Sequence, residues 1–225
     1  PYKNVCTFNR DKEDGKMKLK VKGILLDLDG TIVDSKEAYL EALKIASTAM
    51  GQKVVDVKIA TEIPRKLEQN LSIDNLITGI DTQKFLRAYL SAYYEATATK
   101  VKPVPNVSET LEKLSKKARL ALITMRYVSK EVVIKELEKF CLAKYFQFVI
   151  TALDTCLPKP SPEAIMTCAE QLGIEISECA IVGDSIADIR AGKTAGAKTV
   201  AVLSGIFTRE ELEKEKPDLI LKSIN

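Results

Sequence analysis

The 225-residue chain contains no histidine. That removes His-based catalytic triads, phosphohistidine chemistry and His-ligated metals together, so carboxylates and lysines must carry any proton or charge work. Its five cysteines, Cys6, Cys141, Cys156, Cys168 and Cys179, are odd in number, and no pair shows C-x-x-C spacing. This argues against a zinc site and for a reducing compartment, with the thiols as small buried groups and the protein cytoplasmic. No apolar run approaches the length of a membrane span, and no charged-then-apolar leader resembles a secretory signal, so no membrane partner is expected. A basic field is missing as well. The net charge is +3, but residues 1–22 hold seven Lys/Arg against three Asp/Glu, which leaves the remainder at −1. A body of that charge lacks the basic stripe of a nucleic-acid binder.

What is present is enough apolar residue, 46% of the chain, for one full domain plus a modest insertion. The organising stretch is Gly23-Ile-Leu-Leu-Asp-Leu-Asp-Gly-Thr-Ile-Val-Asp34. Ile24 to Leu26 read as a buried strand, and Gly30-Thr31 as the turn that ends it. Asp27 and Asp29 then stand two residues apart at a strand exit, where ligands of α/β proteins bind. Two acids there are costly unless something positive lies between them, and Mg²⁺ with a phosphate ester would suit. An aspartate can also attack phosphorus.

Residues 1–16 are polar and without periodicity, and read as a disordered extension or leader. Residues 17–34 and 104–225 read as the main domain. Between them, 35–103 reads as a helical insertion. Ala38, Leu40, Leu43, Ile45 and Ala46 give one periodic face. Pro64 should kink or divide a second segment. Phe85, Leu86, Tyr89, Leu90 and Tyr93 give a third segment whose tyrosines read as core. After Lys102-Pro-Val-Pro105, strands at 119–124, 146–151, 179–183 and 198–203 alternate with helices, and 218–221 reads as a last edge strand. That alternation predicts a doubly wound parallel α/β sheet.

Three further strand ends carry polar groups suited to a phosphate. Thr124 ends an apolar strand before a helix N-terminus, where a hydroxyl and free N–H groups can cradle an anion. Lys159, held between prolines in Leu157-Pro-Lys-Pro-Ser-Pro162, suits a fixed positive charge. In Gly183-Asp-Ser-Ile-Ala-Asp188, Asp184 follows a strand directly and Asp188 sits in a first helical turn, where an acid is favoured in any case.

In this order, Asp27-Leu-Asp-Gly-Thr, Thr124, Lys159-Pro-Ser-Pro and Gly-Asp-Ser-x-x-Asp resemble the four motifs of the haloacid dehalogenase superfamily in its phosphatase form. The resemblance covers Gly23 to about Leu203 and implies a Rossmann-like sheet of order 5-4-1-2-3, with the helical insertion as a cap after the first strand. It is nearest to the phosphoglycolate phosphatase and β-phosphoglucomutase group, because Asp29 is absent from the dehalogenases and replaced by threonine in the ion-pumping ATPases. The position after Thr124, often Asn in related phosphatases, is Met125, followed by Arg126. The resemblance therefore assigns no contact there.

The roles it implies are specific. Asp27 is the nucleophile and Asp29 the general acid and base. Thr124 and Lys159 bind phosphate. Asp27, the Asp29 carbonyl and Asp184 hold Mg²⁺, with Asp188 supporting them through water or a hydrogen bond. The expected activity is Mg²⁺-dependent hydrolysis of a small phosphorylated metabolite by a monomer or homodimer. A sugar-phosphate mutase and a non-enzymatic Mg²⁺ or phospholigand binder are the alternatives. Arg65, Lys66 and Arg126 are candidate contacts to the leaving group, outside the catalytic set.

Overall fold

The computed structural model describes residues 5–9, 18–52 and 56–225. The chain divides into two compact units, Pro1–Ile32 with Pro103–Asn225, and Val33–Lys102.

The first unit opens with a hairpin of β1 (Cys6–Asn9) and β2 (Lys18–Val21), paired antiparallel. The strand β1 lies within the segment expected to be an extension without structure. Cys6 and Phe8 are buried, whereas Thr7 between them is exposed. This alternation needs only four residues, too few to stand out among charged neighbours. The rest of that expectation, 1–4 and 10–16, lies outside the described residues.

The strand β3 (Gly23–Leu26) is buried over its whole length, with Ile24, Leu25 and Leu26 fully enclosed. An uninterrupted apolar strand belongs in the middle of a sheet covered on both faces. From there the chain passes through β4 (Val33–Asp34) into the second unit. That unit consists of α1 (Lys36–Ala49), α2 (Ile59–Glu68) and α3 (Thr82–Lys100). The short strand β5 (Lys102–Pro103), paired with β4, marks the way back.

The chain then runs through α4 (Val107–Ser115), β6 (Arg119–Ile123), α5 (Lys130–Lys139), β7 (Phe148–Ile150) and α6 (Glu163–Leu172). It continues through β8 (Cys179–Gly183), α7 (Ile186–Ala195), β9 (Lys198–Val202), α8 (Arg209–Lys214) and β10 (Leu219–Leu221). Six strands form one sheet in the order β10-β9-β8-β3-β6-β7, every neighbouring pair parallel. This is the doubly wound order expected, extended by the edge strand β10. Crossovers leave β3 toward both sides, so the carboxyl end of β3 is a switch point where a crevice opens.

In the second unit the helices form where expected, and Ala38, Leu43 and Ala46 of α1 and Phe85, Tyr89 and Tyr93 of α3 are buried as expected, but other members of each face are not. In α1, Tyr39, Ala42 and Leu43 are buried while Ile45 is exposed. In α3 the inward face is Phe85, Tyr89, Ala92, Tyr93 and Ala96, and Leu90 is exposed. Tyr39 and Tyr93 stack at 5.1 Å between ring centroids, so an aromatic pair joins α1 to α3. The helix α2 runs through Pro64 undivided. Among the described residues, no helix is long and apolar enough to cross a membrane.

Candidate active site

Four side chains, from the ends of β3 and β8, the first turn of α7 and the loop before α6, meet at the carboxyl end of β3. Asp27 follows the strand and continues its pairing, its N–H donating to the Val182 carbonyl at 2.9 Å. Lys159, only 2% exposed, donates from Nζ to Asp27 Oδ1 and to Asp188 Oδ1, both at 2.6 Å. The lysine is thus a fixed bridge between two carboxylates. Burial alone would lower its pKa, but Asp188 and Asp27 outweigh that and raise it, so it stays charged.

Asp188 is placed by its own helix. Ser185 caps α7 by accepting from the Asp188 N–H at 3.2 Å, and Asp188 Oδ2 accepts in return from the Ser185 N–H at 3.2 Å and hydroxyl at 2.7 Å. This reciprocal box satisfies free donors at the helix start and fixes the carboxylate. One oxygen serves the helix and the other serves Lys159.

Asp184, also buried, accepts at longer range from the Thr31 hydroxyl (3.4 Å) and the Ile206 N–H (3.3 Å). Its carboxyl group fills space left by two glycines. A Cβ at Gly30, which sits at φ +83°, would come within 2.5 Å of Asp184 Oδ2, and one at Gly205 would overlap the same oxygen. Gly30 is legible as a turn residue. Gly205 carries no local signal, because its need arises only when the loop after β9 folds against Asp184.

Carboxylate oxygens of Asp27, Asp184 and Asp188 lie within 4.8 Å of one another. Three buried acids against one lysine leave an excess of negative charge. Burial raises the Asp27 carboxyl well above the usual range, Asp188 and Asp184 push it further, and Lys159 pulls it back. A divalent cation would relieve that excess, and an all-oxygen donor set of this kind suits Mg²⁺. These residues therefore fit the metal that the sequence pattern implies.

Thr124 directly follows β6, the strand beside β3, and is buried. Its N–H donates to the Ile150 carbonyl at 2.9 Å and its hydroxyl accepts from the Arg126 N–H at 3.2 Å, which shapes the loop ahead of α5. Asp29 is held by a different cation. Both its oxygens accept from Arg126, Oδ2 from Nε at 2.7 Å and Oδ1 from a terminal nitrogen at 2.6 Å. The other terminal nitrogen of Arg126 donates to Glu136 Oε2 at 2.7 Å. Arg126 is therefore an ion partner of Asp29, and Glu136 is a site residue that the sequence reading did not include. Its signal was an acid at the third position after Val133 and just before Leu137, on the apolar face of α5. In the second unit, Arg65 pairs with Glu62 at 3.1 Å, and Lys66 Nζ donates to the Ser72 carbonyl at 3.1 Å.

Residues 24–202 match the family model of haloacid dehalogenase-like hydrolases. The chain belongs to that family. A phosphoglycolate phosphatase of Escherichia coli (strain K12) is 30% identical, over 91% of this chain and 90% of its own length. A relative from Caldanaerobacter subterraneus subsp. tengcongensis, provisionally named a pyrophosphatase, is 29% identical over 92% of each chain. Among solved structures, a haloacid dehalogenase-like hydrolase from Streptococcus pneumoniae superposes with a TM-score of 0.78 at 19% identity, covering 91% of this chain and 95% of that one. Within the haloacid dehalogenase-like hydrolases this chain is a phosphatase, a phosphoric monoester hydrolase. The cavity of about 1020 Å³ lined by Lys22, Arg119, Gln147 and Glu178 lies at the opposite, amino ends of the strands. It has no part in this site.

Proposed function

We propose that the protein is a Mg²⁺-dependent phosphatase that hydrolyses a small phosphorylated metabolite through an aspartyl-phosphate on Asp27. The observation that carries this reading is Lys159 bridging Asp27 and Asp188 with Asp184 alongside. A nucleophilic carboxylate, a fixed cation and a further acid are thereby gathered at one strand end.

Asp27 attacks phosphorus in line as the bond to the leaving oxygen breaks. Asp29 gives that oxygen a proton, then takes one from the water that attacks the intermediate, so the carboxylates return to their starting forms. Lys159 and the Thr124 hydroxyl hold the non-bridging oxygens, and Lys159 offsets the charge that gathers as nucleophile and phosphoryl group approach. Asp27, the Asp29 carbonyl and Asp184 would hold Mg²⁺, which when bound supplies the remaining charge neutralisation. Asp188 keeps Lys159 aimed.

The names of the relatives guide the choice of substrate, and phosphoglycolate is the first ester to test, ahead of sugar phosphates, nucleotides and pyrophosphate. Phosphate release from that panel, with Mg²⁺ and with EDTA, tests the reading, with Asp27→Asn as the blank. Mg²⁺-dependent turnover of one ester well above the rest is expected. No turnover of any member by the wild-type protein would refute the proposal.

A further inference from the structure

A second ion network, centred on a buried arginine, begins two residues along from the nucleophile. Arg126, 4% exposed, stands two positions after Thr124 on the loop between β6 and α5, and Glu136, 6% exposed, faces inward from α5. Burying a guanidinium is costly unless its donors are matched. Here one edge of Arg126 forms a two-pronged fork on both oxygens of Asp29, and a third donor holds Glu136 at 2.7 Å. Glu136 is itself held at a cost. Burial raises its carboxyl pKa against the pull of Arg126, and its Oε1 makes no hydrogen bond. An acid placed so expensively between Val133 and Leu137 has one visible use, which is to keep the guanidinium from turning away.

A planar fork fixes the plane and direction of a carboxylate in a way that a single-point lysine cannot. It engages both oxygens of the acid at once, so the carboxylate turns only with the guanidinium. We propose that Arg126, anchored by Glu136, is a positioning residue that holds the Asp29 carboxylate as the base for hydrolysis of the aspartyl-phosphate. This rests on the phosphatase reading and assigns Arg126 to its second half. In that half the water oxygen bonds to phosphorus while the bond from phosphorus to Asp27 breaks. The water proton passes to Asp29, and phosphate departs from a regenerated Asp27 carboxylate. Arg126 and Glu136 touch neither water nor phosphorus. They act through Asp29.

The two halves separate with p-nitrophenyl phosphate, whose leaving group needs little help from an acid. The test follows nitrophenol and phosphate release by rapid mixing in wild type, Arg126→Met and Glu136→Gln, with the mass of acid-quenched protein as a second readout. Arg126→Met should give a burst of about one nitrophenol per site followed by a steady rate about a hundredfold below wild type, the cost of a misplaced reacting group. The quenched variant should carry one extra phosphoryl group, and the wild type far less of it. Glu136→Gln should show the same pattern at about tenfold, as expected of a residue one step removed. If Arg126→Met does not fold, Arg126→Lys keeps the charge, loses the fork and should show the same burst. Equal slowing of both products with no phosphoryl gain would overturn the proposal and leave Arg126 a structural residue. Failure of the wild type to release either product would instead overturn the phosphatase reading, and this inference with it.

Discussion

The two ion networks of the core unit share one plan and differ in execution. In each, a buried cation spans two carboxylates: Lys159 between the buried Asp27 and Asp188, and Arg126 between the half-buried Asp29 and the buried Glu136. In each, one acid is assigned a chemical step and the other holds the cation. The lysine is a point donor on a proline-flanked loop, close enough to work directly on an anion. The arginine is a fork that engages both oxygens of one acid, so it orients more than it reacts. Two backing acids for two cations also keep each positive charge matched while its working acid changes form. A buried cation left alone would cost several kcal/mol.

That comparison orders the expected effects of substitution. Asp27→Asn removes the nucleophile and should lower turnover by about four orders of magnitude or more, as loss of a covalent catalyst does, read as phosphate release under saturating ester. Residual turnover near the wild-type rate would remove Asp27 from the working position. Lys159→Ala should come next, at about a hundred- to a thousandfold in kcat. Because Asp27 and Asp188 then lack their shared cation, its melting temperature needs measuring alongside. A loss no larger than that of Glu136→Gln would erase the difference between the two networks. Asp184→Ala should have the smallest effect at saturating metal, but should shift the Mg²⁺ titration by about tenfold or more. Metal that binds only the folded chain raises its stability, by about 2.7 kcal/mol at a hundred times Kd. The Mg²⁺-induced rise in melting temperature should therefore shrink in Asp184→Ala, independently of any activity. An unchanged rise would take Asp184 out of the metal site.

The lysine network was legible in the chain and the arginine network was not. Asp27 and Asp184 sit just beyond an apolar run, Lys159 between prolines and Asp188 in a first helical turn, and the order of these motifs along the chain, through the family resemblance, singles them out. Arg126 follows Met125, which stands where related phosphatases often carry Asn, and the sequence offered it only as a candidate contact to the leaving group. Glu136 looked like one more charge on a helix, although its spacing from Val133 places it on the buried face. The thiols divide similarly: Cys6, Cys168 and Cys179 are buried as expected, while Cys141 and Cys156 are exposed on loops where no periodicity reports burial.

The strands were also within reach of sequence, since unbroken apolar runs mark central parallel strands, whereas their order came with the family resemblance. The hairpin strand β1 and the edges of the α1 and α3 faces, where Ile45 and Leu90 are exposed, were not within its reach. Four alternating residues carry too weak a pattern, and helix rotation depends on which side chains of the neighbouring helix are present to pack against.

The sequence by itself determined which residues stand at strand ends and which types they are. Strand length, turn chemistry and helix capping act over a few neighbouring residues. Only the tertiary structure decided the partnerships. Lys159 meets Asp27 across 132 positions and Asp188 across 29, and Arg126 meets Asp29 across 97. Such pairings depend on where the crossovers return the chain, and no local interaction encodes that distance.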